Sequence, residues 1–129
     1  MIVVDAAALV DALTAVEGTE ELRADLADEE LHAPTLVDFE VVSALRGLTR
    51  GGRLSAARAQ DALADFDDLP IRRWPSSAGL RLRTFSLRDN LTAYDAAYVA
   101  LAEALECPLL TRDQRLARSS GHSVEIRVR

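Results

Sequence analysis

TAYDAAYVALAEALECPLLTRDQRLAR, residues Thr92 to Arg118, opens as a helix that is apolar nearly all round. From Ala93 to Leu105 its only charged side chains are Asp95 and Glu103. A helix with so little polar surface belongs inside a protein. At helical spacing Asp95 shares a stripe with Val99 and Ala102, so its carboxylate starts beside apolar neighbours. Pro108 stops the helix at Cys107, because it can neither donate to nor fit within another turn. Leu109-Leu110 then has the length of a buried strand, and Thr111-Arg112-Asp113 follows it. One carboxylate therefore sits in the first turn of a buried helix, and a second lies just past the next strand.

The rest of the chain repeats this alternation. Ile2-Val3-Val4 is a β-branched run, as expected of a strand buried on both faces of a parallel sheet, and it ends in Asp5. Helices are expected over Ala6–Ala15, Thr19–Glu30 (acidic, at the surface) and Thr35–Leu48. Two more are expected, one from Ser55 to about Asp67 and one capped by Ser76 and reaching Arg88. Leu31–Pro34 and Leu69–Trp74 read as strands, and Val124–Val128 alternates like an edge strand. The Thr35–Leu48 helix is strongly apolar but carries Glu40 in its middle, between Leu36 and Ala44. Strands alternating with helices predict a three-layer α/β/α sandwich around a central, mainly parallel sheet.

Composition bounds the function. The chain has 129 residues, 49% of them hydrophobic, enough for one domain over residues 1–129 with a real core. No apolar run approaches the roughly 20 residues of a membrane span, and Asp5 and Asp11 interrupt any leader-like segment. A cytoplasmic location is the expectation. The single Cys107 excludes an internal disulfide and a cysteine-cluster zinc site; it reads as a small buried hydrophobe. A net charge of −6 speaks against a general nucleic-acid coat protein.

Ligands of parallel α/β sheets bind outside the carboxyl ends of the strands. Asp5 and Asp113 both follow strands, Asp95 begins a helix that can reach the same edge, and Glu40 is the remaining acid on a buried face. Each has a purely structural alternative. Asp5 is a good helix cap, Asp95 can complete a capping box with Thr92, Asp113 can start a turn, and Glu40 can pair with an arginine. Should the acids converge, two unit charges about 4 Å apart repel by about 4 kcal/mol at an effective dielectric of 20. A cation would then be needed. An all-oxygen site suits Mg²⁺ or Mn²⁺, and such a metal suits phosphodiester hydrolysis.

The strings VVDAAALVDAL, PTLVDFEVVSALRG and LTAYDAAYVALAEALECPLLTRDQRLAR, a little under half of the chain, resemble those of PIN-domain ribonucleases. In particular they look like the VapC toxins of bacterial VapBC toxin–antitoxin modules. The resemblance implies a PIN-like fold and metal-dependent cleavage of RNA by Asp5, Glu40, Asp95 and Asp113 holding Mg²⁺ or Mn²⁺. It also implies that Thr111 orients a carboxylate or a water, that the chain dimerises with itself, and that a VapB-type antitoxin covers the site. Two departures stand out. Ala7 occupies a position where the family often has Ser or Thr, and Gln114-Arg115 stands where some members carry a further acid.

Other readings fare less well. A haloacid-dehalogenase-type phosphatase wants an Asp where Ala7 is, and a receiver domain wants a lysine that this chain lacks. A metal-free ribonuclease would need its two histidines, but His32 adjoins a short strand and His122 lies in the turn SSGHS, neither with an evident partner. A non-catalytic interaction module could use the apolar helices, yet gives no reason for Glu40 beside three further acids. The arginines, Arg46, Arg50 and Arg53 in one group and Arg72, Arg73, Arg81, Arg83 and Arg88 in another, read mainly as solvated helix faces, with a subset free to grip phosphates. Trp74, at a strand end, reads as core.

Overall fold

Strand β1 (Ile2–Val4) is fully buried and lies at the centre of a five-stranded sheet. The computed structural model describes residues 1–129. The other strands are β2 (Leu31–Pro34), β3 (Ile71–Trp74), β4 (Leu109–Thr111) and β5 (Ile126–Val128), in the spatial order β3-β2-β1-β4-β5. Every pairing is parallel, and Val3 sits in register with both His32 and Leu109. The chain builds outward from β1 through β2 to β3, then returns to place β4 on the other side of β1. Strand order thus reverses between β1 and β4, and a crevice opens there at their carboxyl ends.

Seven helices complete the layers: α1 (Ala6–Leu13), α2 (Glu20–Asp28), α3 (Val37–Arg50), α4 (Ala56–Asp68), α5 (Ala78–Ser86), α6 (Ala93–Leu105) and the short α7 (Gln114–Ala117). Helices α1, α3 and α4 pack on one another, and α6 packs on β1, β2 and β4 with α5 laid over it. Helix α6 is buried without a break from Ala96 to Ala102, as its nearly uniform apolar sequence requires. It ends at Glu106 in the left-handed region (φ 54°), just ahead of Cys107-Pro108. No helix is long and apolar enough to cross a membrane.

Several boundaries differ from the sequence reading, each for a local reason. Helix α3 starts at Val37 and not at Thr35, because the Thr35 N–H bonds the Trp74 carbonyl (3.0 Å) and so extends the β2–β3 pairing. Glu40 consequently lies in the first turn of α3, not its middle, and is half-buried. Ser77, not Ser76, caps α5, since the Ser76 hydroxyl is engaged by Arg81 (2.7 Å). Cys107 is half-exposed instead of buried. Helix α3 buries Val37, Val41 and Leu45 but leaves Phe39 and Val42 in solvent.

Candidate active site

Asp5 ends β1 and caps α1 with the same side chain. Its Oδ1 accepts the Ala8 N–H at 2.8 Å, and Oδ2 accepts the Thr111 hydroxyl from the end of β4. Thr111 is fully buried, and its Oγ1 also accepts the Asp113 N–H at 3.0 Å. One hydroxyl therefore ties together the two strand ends that flank the crevice.

Asp5 is 9% exposed. Burial pushes its carboxyl from an ordinary 3.8 up to about 6, against the lowering effect of its bonds to Thr111 and Ala8. The charges of Asp95 and Glu40 push the same way. Glu40, in the first turn of α3, is itself raised by burial and by Asp95. Asp95, in the first turn of α6, has its N–H accepted by the Thr92 hydroxyl at 3.2 Å. These three acids form one electrostatic group, and none of them makes an ion pair. The ion pairs of the chain run elsewhere, to Glu29, Glu30, Asp38, Glu103, Asp11, Asp113, Glu125, Glu21 and Asp25.

Tyr98 belongs to this group and was not singled out by sequence. Its hydroxyl faces Glu40, and burial together with the neighbouring Glu40 and Asp5 charges holds it well above the ordinary phenol range. It is also the one buried side-chain polar atom left without a well-aligned hydrogen bond. The signal in the sequence is slight: a tyrosine three residues after Asp95, indistinguishable there from core.

Asp113 stands differently. It caps α7 through the Arg115 N–H at 2.9 Å and forms an ion pair with the Arg115 side chain at 2.7 Å. The Arg115 guanidinium holds its carboxyl below the usual range. It is joined to Asp5 through Thr111, and with Asp95 it lines a cleft of about 460 Å³ that also contains Asn90, Arg115 and Arg118. No three Asp, Glu, His or Cys side chains stand close enough together to enclose an ion by themselves. A neighbouring groove of about 590 Å³, lined by Leu36, Trp74, Leu80 and Phe85, meets the acidic cleft at Leu91 and Thr92 and has no carboxylate in its lining.

Both histidines have partners, contrary to the sequence reading. His32 Nδ1 accepts the Trp74 indole N–H at 3.0 Å, so Nε2 carries the proton and donates to Glu30 at 2.8 Å. His122 Nδ1 accepts the Val124 N–H at 3.2 Å, and its Nε2 lies 2.7 Å from the Ser119 hydroxyl. His32 is thus fixed from the neighbouring strand and from the residue ahead of its own, and His122 within its own turn.

A family model described as PIN domain matches residues 2–121. The VapC ribonuclease Mb0985 of Mycobacterium bovis is 49% identical over 117 residues, 91% of this chain and 89% of that protein. Among solved structures, PAE2754 from Pyrobaculum aerophilum superposes with a TM-score of 0.70 at 30% identity, over 98% of this chain and 83% of the other. A toxin–antitoxin complex from Klebsiella pneumoniae contains a chain with the same fold, with a TM-score of 0.59 at 19% identity over 88% of each.

Proposed function

The chain belongs to the PIN-domain family, and on that premise we propose that it is a divalent-metal-dependent endoribonuclease, the toxin of a toxin–antitoxin pair. The observation that carries this reading is the unpaired acid group. Asp5 is held up to about 6 by burial beside Asp95 and Glu40, and none of the three carboxylates makes an ion pair. A hard cation supplies the missing charge.

The donor set fits Mg²⁺ or Mn²⁺. All four candidate donors are carboxylate oxygens, the hard ligands that such ions take, with water completing the shell. Asp5 and Asp95 are the expected direct ligands; Glu40 and Asp113 complete the site directly or through water. A cation bound there stabilises charge on a phosphoryl group and makes a bound water more acidic.

The residues of the chain do the rest. Thr111 fixes one Asp5 oxygen and the Ala8 N–H fixes the other, so the carboxylate is oriented before any ligand arrives. Glu40, raised by burial, is suited to take the proton of an attacking water. Phe39, Leu82, Phe85 and Tyr94, large apolar side chains left in solvent on α3, α5 and α6, offer surface to an antitoxin or a second copy of the chain.

The test is cleavage of a pooled RNA by purified protein with Mg²⁺ or Mn²⁺, then with excess EDTA. Cleavage should require the metal and vanish in Asp95→Asn. Cleavage at the wild-type rate by Asp95→Asn would overturn the assignment.

A further inference from the structure

Arg115 stands at the mouth of the acidic cleft with its guanidinium committed to Asp113. Nε lies 3.1 and 3.2 Å from the two Asp113 oxygens, and Nη2 lies 2.7 Å from Oδ2. Its side chain is nevertheless 83% exposed, and an ion pair so open to water is weak and readily exchanged. The other well-held arginines are tied up away from the acids. Arg73 is bound to Asp38, Arg83 to Glu103 and the Gly121 carbonyl, and Arg72 lies 4.3 Å over the Trp74 ring. Arg115 alone pairs with one of the candidate site acids while lining the cleft that Asp95 and Asp113 share.

A phosphodiester approaching this cleft meets Asp95, Asp113 and Asp89 on a chain of net charge −6. It needs a cation to offset that field. A guanidinium fork that grips two carboxylate oxygens fits the two non-bridging oxygens of a phosphodiester equally well. Arg118, Asn90, Ser119 and Ser120 line the same cleft and supply further donors.

We propose that Arg115 exchanges Asp113 for a backbone phosphate of the RNA when substrate enters the cleft. The assignment rests on the ribonuclease reading and makes Arg115 a phosphate-binding residue, not a participant in bond cleavage. In the free chain the Asp113 pair keeps the guanidinium aimed along the cleft. In the complex the fork closes on phosphate, and Asp113 is released toward the other acids.

The experiment measures binding of a short, fluorescein-labelled single-stranded RNA of mixed sequence over a series of salt concentrations, in the Asp95→Asn background. Arg115→Ala is expected to weaken binding about tenfold, the worth of one charge-assisted contact. It should also reduce the slope of log affinity against log salt by about 0.7, one phosphate contact on a single strand. Arg115→Lys should restore the slope but only part of the affinity, and Asp113→Asn should tighten binding by freeing the guanidinium. Arg58→Ala, on α4 and outside the cleft, should change neither. Unchanged affinity and slope in Arg115→Ala, or an equal loss in Arg58→Ala, would overturn the assignment. Wild-type protein that cleaves RNA beside an Arg115→Ala protein that binds normally condemns Arg115 alone. Wild-type protein that neither binds nor cleaves RNA brings down the ribonuclease reading with it.

Discussion

Asp5 holds a strand end, a helix cap and a charge that its surroundings resist. An acid that ionises at 3.8 in the unfolded chain and at about 6 in the fold binds its proton more tightly when folded. Its effect on stability therefore runs opposite to that of a salt-bridged carboxylate. The folded state is favoured below about pH 4, and the advantage is lost as pH rises through 6, by about 3 kcal/mol for a shift of that size. Asp5→Asn removes the titration, although Glu40 keeps a smaller one of the same sign. In metal-free buffer the Asn variant should gain on wild type steadily between pH 4 and 7 in thermal melts, and should have lost RNA cleavage. A wild-type minus variant difference that stays flat across that window would mean that Asp5 ionises normally. At this scale the sequence showed which acids sit at strand ends and helix starts. It did not show Tyr98 or Arg115, because the group each one answers to lies on another element or is open to several partners.

Helix α6 was the most legible element, and its start illustrates why. Thr92 followed by Asp95 announces a cap in sequence, and in the structure the Thr92 hydroxyl accepts the Asp95 N–H. The capping reading and the active-site reading of Asp95 are compatible, because the backbone makes the cap and the carboxylate is left free. Thr92→Ala should cost about 1 kcal/mol, read as a lower melting temperature. If the cap also positions Asp95, kcat/KM should fall further than that loss of stability accounts for, and Thr92→Ser should recover both. Cleavage that tracks the folded fraction alone would reduce Thr92 to a structural role. Starts that were misplaced lay where a long-range bond competes with the local signal: Thr35 is drawn into pairing with Trp74, and Ser76 into a bond with Arg81. Sequence periodicity carries no record of such partners.

At the scale of the whole molecule, the position of β1 between β2 and β4 brings scattered acids to one edge of the sheet. Buried apolar runs made the parallel sheet readable, but strands of three or four residues do not encode their neighbours, so the strand order was not. With that order, Asp5 and Thr111 face each other across the reversal point, and α3 and α6 bring Glu40 and Asp95 to the same edge. A cation that binds only this assembled edge must stabilise the fold by mass action, by about 2.7 kcal/mol at a hundredfold excess over Kd. Binding requires the ionised carboxylates, so the gain should be larger at pH 7 than at pH 5, on either side of the Asp5 titration at about 6. Thermal melts with Mn²⁺ or Mg²⁺ should show this rise and its reversal by EDTA. Asp5→Asn and Asp95→Asn should abolish it, while Asp113→Asn should reduce it less, since that carboxylate is shared with Arg115. A shift that survives in Asp5→Asn and Asp95→Asn would locate the ion elsewhere. No shift at pH 7 would remove the cation from the mechanism and leave the repulsion within the acid group to be met by protonation alone.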